Sequence, residues 1–229
     1  MEVKLLTYTP NPDKIVAVAA RLCYSKLKPS ELYENLTDEE INLLINIVVS
    51  NKHYSTLEHA VFTFSIEGVS RACTHQLVRH RIASYNQQSQ RYVAFDETLD
   101  YYIPDEIEAS YDEDVVELYH QAMTTCKDIY LDLIDRGISA EDARYVLPNA
   151  ANSNIIVTMN ARELLHFFSL RCCNRAQDEI RHLAWHMLQL AKDVAPKLFR
   201  YAGPPCSVDR CAEGRMSCKH PYPKIEEEL

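Results

Sequence analysis

The chemistry of this chain concentrates in one run, Arg79 to Tyr92 (RHRIASYNQQSQRY), where three arginines stand among amide and hydroxyl side chains. Arginine is always charged and presents a planar fork of donors that matches phosphate or carboxylate. Ser84, Asn86, Gln87, Gln88 and Ser89 add groups able to read the edge of a heterocycle. A bare Arg-His-Arg triplet is more often a solvated basic loop. Here four amides, two serines and two tyrosines exceed what a solubilising loop needs, and Ser89 with Arg91 repeats the donor pairing. The run reads as a nucleotide pocket. Arg79 and Arg81 can share a face, with His80 opposite, only on an extended or irregular backbone.

A further arginine stands on the helix expected from Asn160 onward. At about 100° per residue, Arg171 falls between Phe167 and Leu164, inside the apolar arc. A cation there needs an anionic partner, unless it snorkels from the helix end. Arg162, His166, Ser169 and Cys173 project onto the other side, so the helix offers polar groups in two directions.

Glycine usage narrows the means of holding an anion. Gly68, Gly137, Gly203 and Gly214 are the only four, and no two are close together. Both the dinucleotide fingerprint and the P-loop need clustered glycines to bring backbone amides against phosphate, so any phosphate here must be held by side chains. A net charge of -9 argues against bulk DNA or RNA as a partner, whereas a small anion needs only local charge.

Other constellations point elsewhere. Glu117 with His120, Glu163 with His166 and Glu179 with His182 have the three-residue spacing of di-iron carboxylate bundles, which makes a di-iron oxidase the enzymatic alternative. A non-enzymatic nucleotide- or RNA-binding regulator is the other alternative. His182 and His186 lie one helical turn apart, but Leu183 stands where a metalloprotease needs glutamate. Cys206, Cys211, Cys218 and His220 miss the usual paired-cysteine spacing of zinc sites, so free thiols are favoured there and no metal is assigned. Cys172 and Cys173 are too close for ordinary disulfide geometry, and Cys172 falls on the apolar arc as a packing residue.

The elements that position these groups follow from periodicity. Asn11-Pro12-Asp13 precedes Ile15, Val16, Ala19 and Leu22 at helical spacing, and Thr37 with Glu40 forms a capping box before Ile41, Leu44, Ile45 and Val48. Ala60, Phe62, Phe64 and Ile66 alternate as in a strand. A helix from about Ser70 leads to the arginines, and from His80 the chain lacks any clear period, as a structured loop would. A long helix is expected from Asp112 to Arg136, with Val115, Leu118, Met123, Ile129 and Leu133 available for the core and Gly137 as terminator. A short helix through Ala143 and Tyr145 ends before Pro148. Ile155, Ile156, Val157 and Met159 form a second strand, Asn160 caps the helix that carries Arg171, and a last helix uses Ile180, Leu183, Met187, Ala191 and Val194.

The 229 residues fit one large domain or two small ones, and a single domain is favoured: α/β (mixed α+β), helix-rich, with a small central sheet. Residues 1–203 form that domain, and 204–229, with Pro204, Pro205 and three cysteines, are expected to stand apart from it as a tail. No apolar stretch reaches the ~20 residues of a membrane span, and Met1 to Pro10 lacks the pattern of a signal peptide. No membrane partner is expected, and a cytoplasmic location follows.

The run Arg79 to Tyr92 also resembles the motif of the flavin-dependent thymidylate synthases: two arginines flanking a histidine, seven residues, then a serine. The resemblance extends through His53-Tyr54-Ser55-Thr56-Leu57-Glu58-His59 and Val61-Phe62-Thr63-Phe64, then Ala143 to Pro148 and Asn160-Ala161-Arg162. It covers most of the chain to about Tyr201. Gln87 stands where many members carry glutamate, and His166 where some carry asparagine.

The resemblance implies conversion of dUMP to dTMP, with 5,10-methylenetetrahydrofolate as carbon donor and FAD reduced by NADPH as hydride source. On this resemblance dUMP would be held by Gln76, Leu77, Val78 and Arg79, by Gln87, Gln88, Ser89, Gln90 and Arg91, and by Arg144. Arg171 would contact the uracil and favour its N3-deprotonated form, which makes it the catalytic residue. FAD would meet Ser55, Arg79, His80, Arg81, Gln87, Asn160, Ala161, Arg162 and His166. Ser89 is assigned positioning rather than nucleophilic attack, because no adjacent general base is evident. The family resemblance also implies a homotetramer with shared active sites.

Overall fold

A computed structural model describes residues 1–97 and 99–225. In chain order the elements are β1 (Glu2–Tyr8), α1 (Pro12–Leu22), α2 (Pro29–Asn35), α3 (Asp38–Ser50), a 3₁₀ turn (Tyr54–His59), β2 (Val61–Ser70), α4 (Arg71–Leu77) and β3 (Ala83–Gln87). There follow α5 (Asp105–Glu108), α6 (Glu113–Asp135), α7 (Ala140–Ala143) with a 3₁₀ turn (Arg144–Val146), β4 (Asn152–Asn160), α8 (Ala161–Arg171) and α9 (Asp178–Val194). The fold is helix-rich with a small antiparallel sheet of strand order β1-β2-β4-β3, as the sequence reading anticipated. The register of β2 against β4 is marked by Thr63 and Thr158, whose hydroxyls meet at 3.0 Å, and by Gly68, whose amide donates to Asn154 Oδ1 at 3.1 Å.

Local chemistry sets the helix ends. Thr37 Oγ1 accepts from the Glu40 amide while a Glu40 carboxylate oxygen accepts from the Thr37 amide, the reciprocal capping expected before α3. Asn160 Oδ1 accepts from the Glu163 amide at 2.9 Å and opens α8. Gly137 follows α6 at a φ of 83°, a conformation costly for a residue with a Cβ.

The described residues group into two compact units. The first comprises Met1–Glu2, Ile66–Arg79 and Tyr85–Ile156; the second comprises Val3–Ser65, His80–Ser84 and the chain from Val157 onward. In the second unit Phe62, Phe168 and Phe199 are fully buried, with Phe199 edge-on to Phe62 at 5.4 Å and to Phe168 at 5.8 Å. Such edge-to-face pairs add to the area they remove from water. The apolar stripe of α9, through Ile180, Leu183, Met187 and Ala191, is buried in the same unit. In the first unit the buried set is thinner, centred on Ile66, Val69, Leu77, Tyr130 and Ile155.

Two expectations are corrected. The segment after His80 is not loop throughout: β3 lies inside it, paired through its backbone, so its side chains need not alternate in hydrophobicity. The stripe of α6 is not core, since Val115, Leu118 and Ile129 are 41%, 67% and 46% exposed and Tyr130 is the helix's buried residue. Periodicity identifies a face that favours burial but not what covers it. Part of the segment from Pro204, expected to stand apart as a tail, makes contacts of its own. In the second unit Tyr222 packs on Trp185 at 5.3 Å, Asn174 donates to the His220 carbonyl, and Arg175 donates to the Met216 carbonyl. Residues 226–229 of the expected tail lie outside the described residues. Among the described residues no helix is long and apolar enough to cross a membrane.

Phe168→Ala removes a ring held between Phe167 and Phe199. The expected loss is about 3–5 kcal/mol, read as a lower midpoint of chemical unfolding.

Candidate functional site

In the second unit the site is built on α8 and the turn before β2. The Ala161 amide donates to the Ala60 carbonyl at 2.8 Å, which ties the first residue of α8 to the end of that turn. Arg162, one residue on, pairs with Glu58 at 2.6 Å, and its guanidinium lies 6.0 Å from the centre of the Tyr54 ring. These groups border a cavity of about 510 Å³. Leu44, Ile47 and Val48 supply apolar wall; Tyr24 and Tyr54 supply aromatic surface; Arg21, Lys52, Arg162, His53 and Ser55 supply donors. Apolar and aromatic wall beside several donors suits a ligand that combines flat rings with phosphate, so the residues present fit a flavin dinucleotide. Ser55 and Arg162, both assigned to flavin from the sequence, line this one cavity, and Asn160 and Ala161 anchor the helix that carries Arg162.

His80, assigned to flavin from the sequence, is engaged by side chains of the second unit. Its side chain is buried, Arg171 Nε donates to its Nε2 at 3.0 Å, and its Nδ1 lies 3.4 Å from Glu163 Oε1. Phe167 meets the ring edge-on at 4.9 Å, with His166 at 5.9 Å. Desolvation, then the charges of Arg171 and His166, holds the imidazole well below its ordinary value, at about 4. Both ring nitrogens are thus occupied by groups of the protein. Arg79 and Arg81, on either side in sequence, are exposed, which is the alternation that the spacing required. Glu163 is buried, and desolvation raises its carboxyl while His166 and Arg162 act in the opposite direction.

Arg171 is half-buried at the end of α8 and lines a second cavity of about 500 Å³ with Ser169, Cys173, Arg175, Cys206 and Cys211. Arg162 and His166 are exposed on the other face, as the helical projection required. Cys172 packs in the interior, and desolvation pushes its thiol up to about 12, which keeps it protonated and inert.

In the first unit the remaining candidates form a polar network. Gln87 Nε2 donates to Thr74 Oγ1 at 3.2 Å and to Ser153 Oγ at 3.1 Å, while Gln88 Oε1 accepts from Asn154 at 3.1 Å. Ser89 Oγ accepts from the Arg91 amide at 3.2 Å. Arg91 grips Glu141 with two nitrogens, at 2.7 and 3.0 Å, and Arg144 Nε donates to the Glu141 carbonyl at 3.0 Å. Leu77 is fully buried, so only its backbone can meet a ligand, and its carbonyl accepts from Tyr85. Gln76 is half-buried, and Val78 and Arg79 are exposed. Gln90 is buried, and among the described residues its Nε2 has no partner, a donor available to an acceptor.

Sequence reasoning missed Arg71, Glu141 and the contact of Glu163 with His80. Arg71 is lowered by desolvation and by the charge of Arg144, two cations close enough to favour an anion between them. Its position at the start of α4, the helix carrying Gln76, was the available signal. The di-iron alternative finds no support: Glu163 turns to His80, Glu117 accepts from Gln121, and His120 Nδ1 meets the Tyr101 hydroxyl at 2.6 Å. Among the described residues no three His, Cys, Asp or Glu side chains form a metal-binding group.

Comparison with known proteins gives a consistent set. The sequence model of a family described as thymidylate synthase complementing protein matches residues 4–197. The flavin-dependent thymidylate synthase of Geobacter sulfurreducens is 54% identical over 219 residues, covering 95% of this chain and 94% of the relative. That of Clostridium tetani is 49% identical, covering 95% and 93%. Among solved structures, a UMP/dUMP methylase PolB from Streptomyces cacaoi bound with 5-Br dUMP is similar at a TM-score of 0.76 and 27% identity, over 87% of this chain and 93% of that one.

The buried neutral His80 gives a pH signature. Its folded value near 4 lies below the unfolded value of 6.5, so the unfolded chain binds the proton first. The stability this burial permits is fully present above pH 6.5 and is lost as pH falls toward 4, with a slope of at most about 1.4 kcal/mol per pH unit. Glu163, raised by burial, contributes the opposite slope, and Arg171 and His166 also face the ring. Urea midpoints measured between pH 4 and 7 should fall less steeply for His80→Gln than for the unsubstituted chain.

Proposed function

The chain belongs to the flavin-dependent thymidylate synthase family, and from that premise we propose the roles its residues take in the reaction. That reaction is the reductive methylation of dUMP to dTMP, with 5,10-methylenetetrahydrofolate as carbon donor and NADPH as reductant. FAD, when bound, supplies the hydride that reduces the transferred carbon. The di-iron and regulator alternatives are not supported.

The dUMP phosphate is held by arginine side chains, Arg91 and Arg144 with Arg79, because the glycine usage allows no backbone cradle. Gln76, Gln87 and Ser89 orient the nucleoside, and Leu77 and Val78 contribute backbone alone. Arg171 contacts the uracil, where a fixed cation stabilises the negative charge of the N3-deprotonated base. The observation that carries this assignment is its geometry: the guanidinium is anchored through Nε to a neutral buried imidazole and lines a cavity. FAD would be held by Ser55, Arg79, Arg81, the Asn160 to Arg162 start of α8 and His166, while both ring nitrogens of His80 face groups of the protein.

The catalytic domain comprises residues 1–203, with 204–229 as an appendage to it. The enzyme works in the cytoplasm as a homotetramer with shared active sites. Support for assembly comes from α6, where Val115, Leu118 and Ile129 lie within one exposed stripe. Light scattering should give four times the chain mass, and a monomer would overturn this part of the reading.

The purified protein should carry an FAD absorbance spectrum that shifts as dUMP is added. Arg171→Ala should keep its flavin while its turnover to dTMP drops by about 10²–10³-fold, the usual cost of losing one charge-stabilising donor. Loss of flavin from this variant would reassign Arg171 to the cofactor.

A further inference from the structure

We infer that Glu163 is a positioning residue for Arg171, acting through His80: it holds the imidazole by its Nδ1 edge so that Nε2 presents a lone pair to Arg171 Nε. The inference rests on the assignment of Arg171 to the uracil.

Donor and acceptor roles along the chain Glu163–His80–Arg171 follow from chemistry. Arginine Nε–H can only donate, so His80 Nε2, 3.0 Å away, must accept and carries no proton. A neutral imidazole has one N–H, which therefore sits on Nδ1 and faces Glu163 Oε1 at 3.4 Å. A carboxylate is the acceptor that this N–H requires.

Burial makes the arrangement consequential. His80 and Glu163 are 5% and 6% exposed, so water cannot freely replace either partner. Phe167 sets the tilt of the ring from its edge. Packing alone, however, does not distinguish the ring from the same ring flipped, in which carbon would replace nitrogen at both contacts. The carboxylate acts with Arg171 to remove that degeneracy, because only one orientation directs N–H to Glu163 and a lone pair to Arg171.

Helix geometry supplies the grip. Glu163, Phe167 and Arg171 recur every four residues along one side of α8, so a single rigid element meets both nitrogens and the edge of the ring. A guanidinium held by its inner N–H has its plane fixed, and its two terminal nitrogens project from that plane in a set direction. This is the pre-organisation that charge stabilisation at a base requires. Glu163 touches neither base nor flavin in this scheme; its effect reaches the reaction through His80.

The test compares Glu163→Gln, which keeps an oxygen acceptor, with Glu163→Leu, which does not, in the flavin-loaded enzyme. Glu163→Leu should lower kcat for dTMP formation by about 10–100-fold while KM for dUMP and flavin content change little. Glu163→Gln should recover most of kcat. Nitrogen-15 NMR of histidine-labelled protein reads the tautomer directly: His80 should be Nδ1–H in the unsubstituted chain and in Glu163→Gln. A mixed tautomer or a flipped ring is expected in Glu163→Leu. Turnover of Glu163→Leu equal to the unsubstituted enzyme, Gln as impaired as Leu, or an Nε2–H His80 in the unsubstituted chain would each overturn the inference. The NMR result on the unsubstituted chain stands even if the leucine variant fails to fold. Full turnover by Arg171→Ala would instead sink the assignment of Arg171, whereas an inactive Arg171→Ala beside a fully active Glu163→Leu would sink the Glu163 role alone.

Discussion

With four scattered glycines, the chain has no glycine-rich loop to wrap backbone amides around a phosphate, and this constraint shapes the rest of the protein. Anions are then met largely by side chains. Side chains are flexible, so each must be immobilised by a neighbour, and the neighbours become as important as the donors themselves. Arg171 rests on His80, Arg162 on Glu58, Arg144 on the Glu141 carbonyl, and Arg91 on the Glu141 carboxylate. A glycine-rich loop folds this support into the backbone, whereas here a set of long cations is braced one by one.

Within the second unit, α8 carries much of that bracing. Its start is fixed by the Asn160 cap and by the amide of Ala161 on Ala60, and its apolar side is buried through Leu164, Phe167 and Phe168. A helix rooted at one end and packed along one side has little freedom to rotate or slide. The polar residues it carries therefore inherit positions set by aromatic packing. Burial also determines charge: His80 is neutral because a charged ring there would be desolvated beside Arg171. The core and the site are in this sense the same structure, with the aromatic cluster defining where donors point.

Legibility in the sequence followed the range of the physics. Signals carried by adjacent residues were readable: the Thr37–Glu40 box, the Asn160 cap, Gly137 after α6, and the exposed-buried-exposed order of Arg79, His80 and Arg81. Even the two faces of α8 could be projected from helical spacing alone. What escaped depended on residues far apart in the chain. β3 takes its conformation from pairing with β4, and no alternation in ASYNQ announces it. Glu163 stood out in the sequence only for its three-residue spacing from His166, whereas burial directs it to His80, 83 positions earlier by their numbers. The apolar stripe of α6 was correctly seen as a stripe, but a single sequence does not say whether its cover lies in the same chain. Roles tied to the reaction came from the family resemblance, since no periodicity distinguishes an arginine that meets uracil from one that meets phosphate.

The first unit poses a different electrostatic problem. Arg71 and Arg144 are close enough for each to feel the other's charge, yet burial already disfavours a charged Arg71. Two neighbouring cations are better tolerated when an anion offsets their repulsion. Part of the answer is local, in Glu141, which accepts two hydrogen bonds from Arg91 and one through its carbonyl from Arg144. That carboxylate fills the planar fork of Arg91 as a phosphate would, because both present two oxygens at matching spacing. Both side chains are about half exposed, so the pair adds little to stability and opposes exchange only weakly. A dianionic phosphate brings more charge to the same fork and to its cationic neighbours than one carboxylate can. If Arg91 meets the dUMP phosphate as proposed above, Glu141 is suited to satisfying it when no nucleotide is present, at little cost to binding when one arrives.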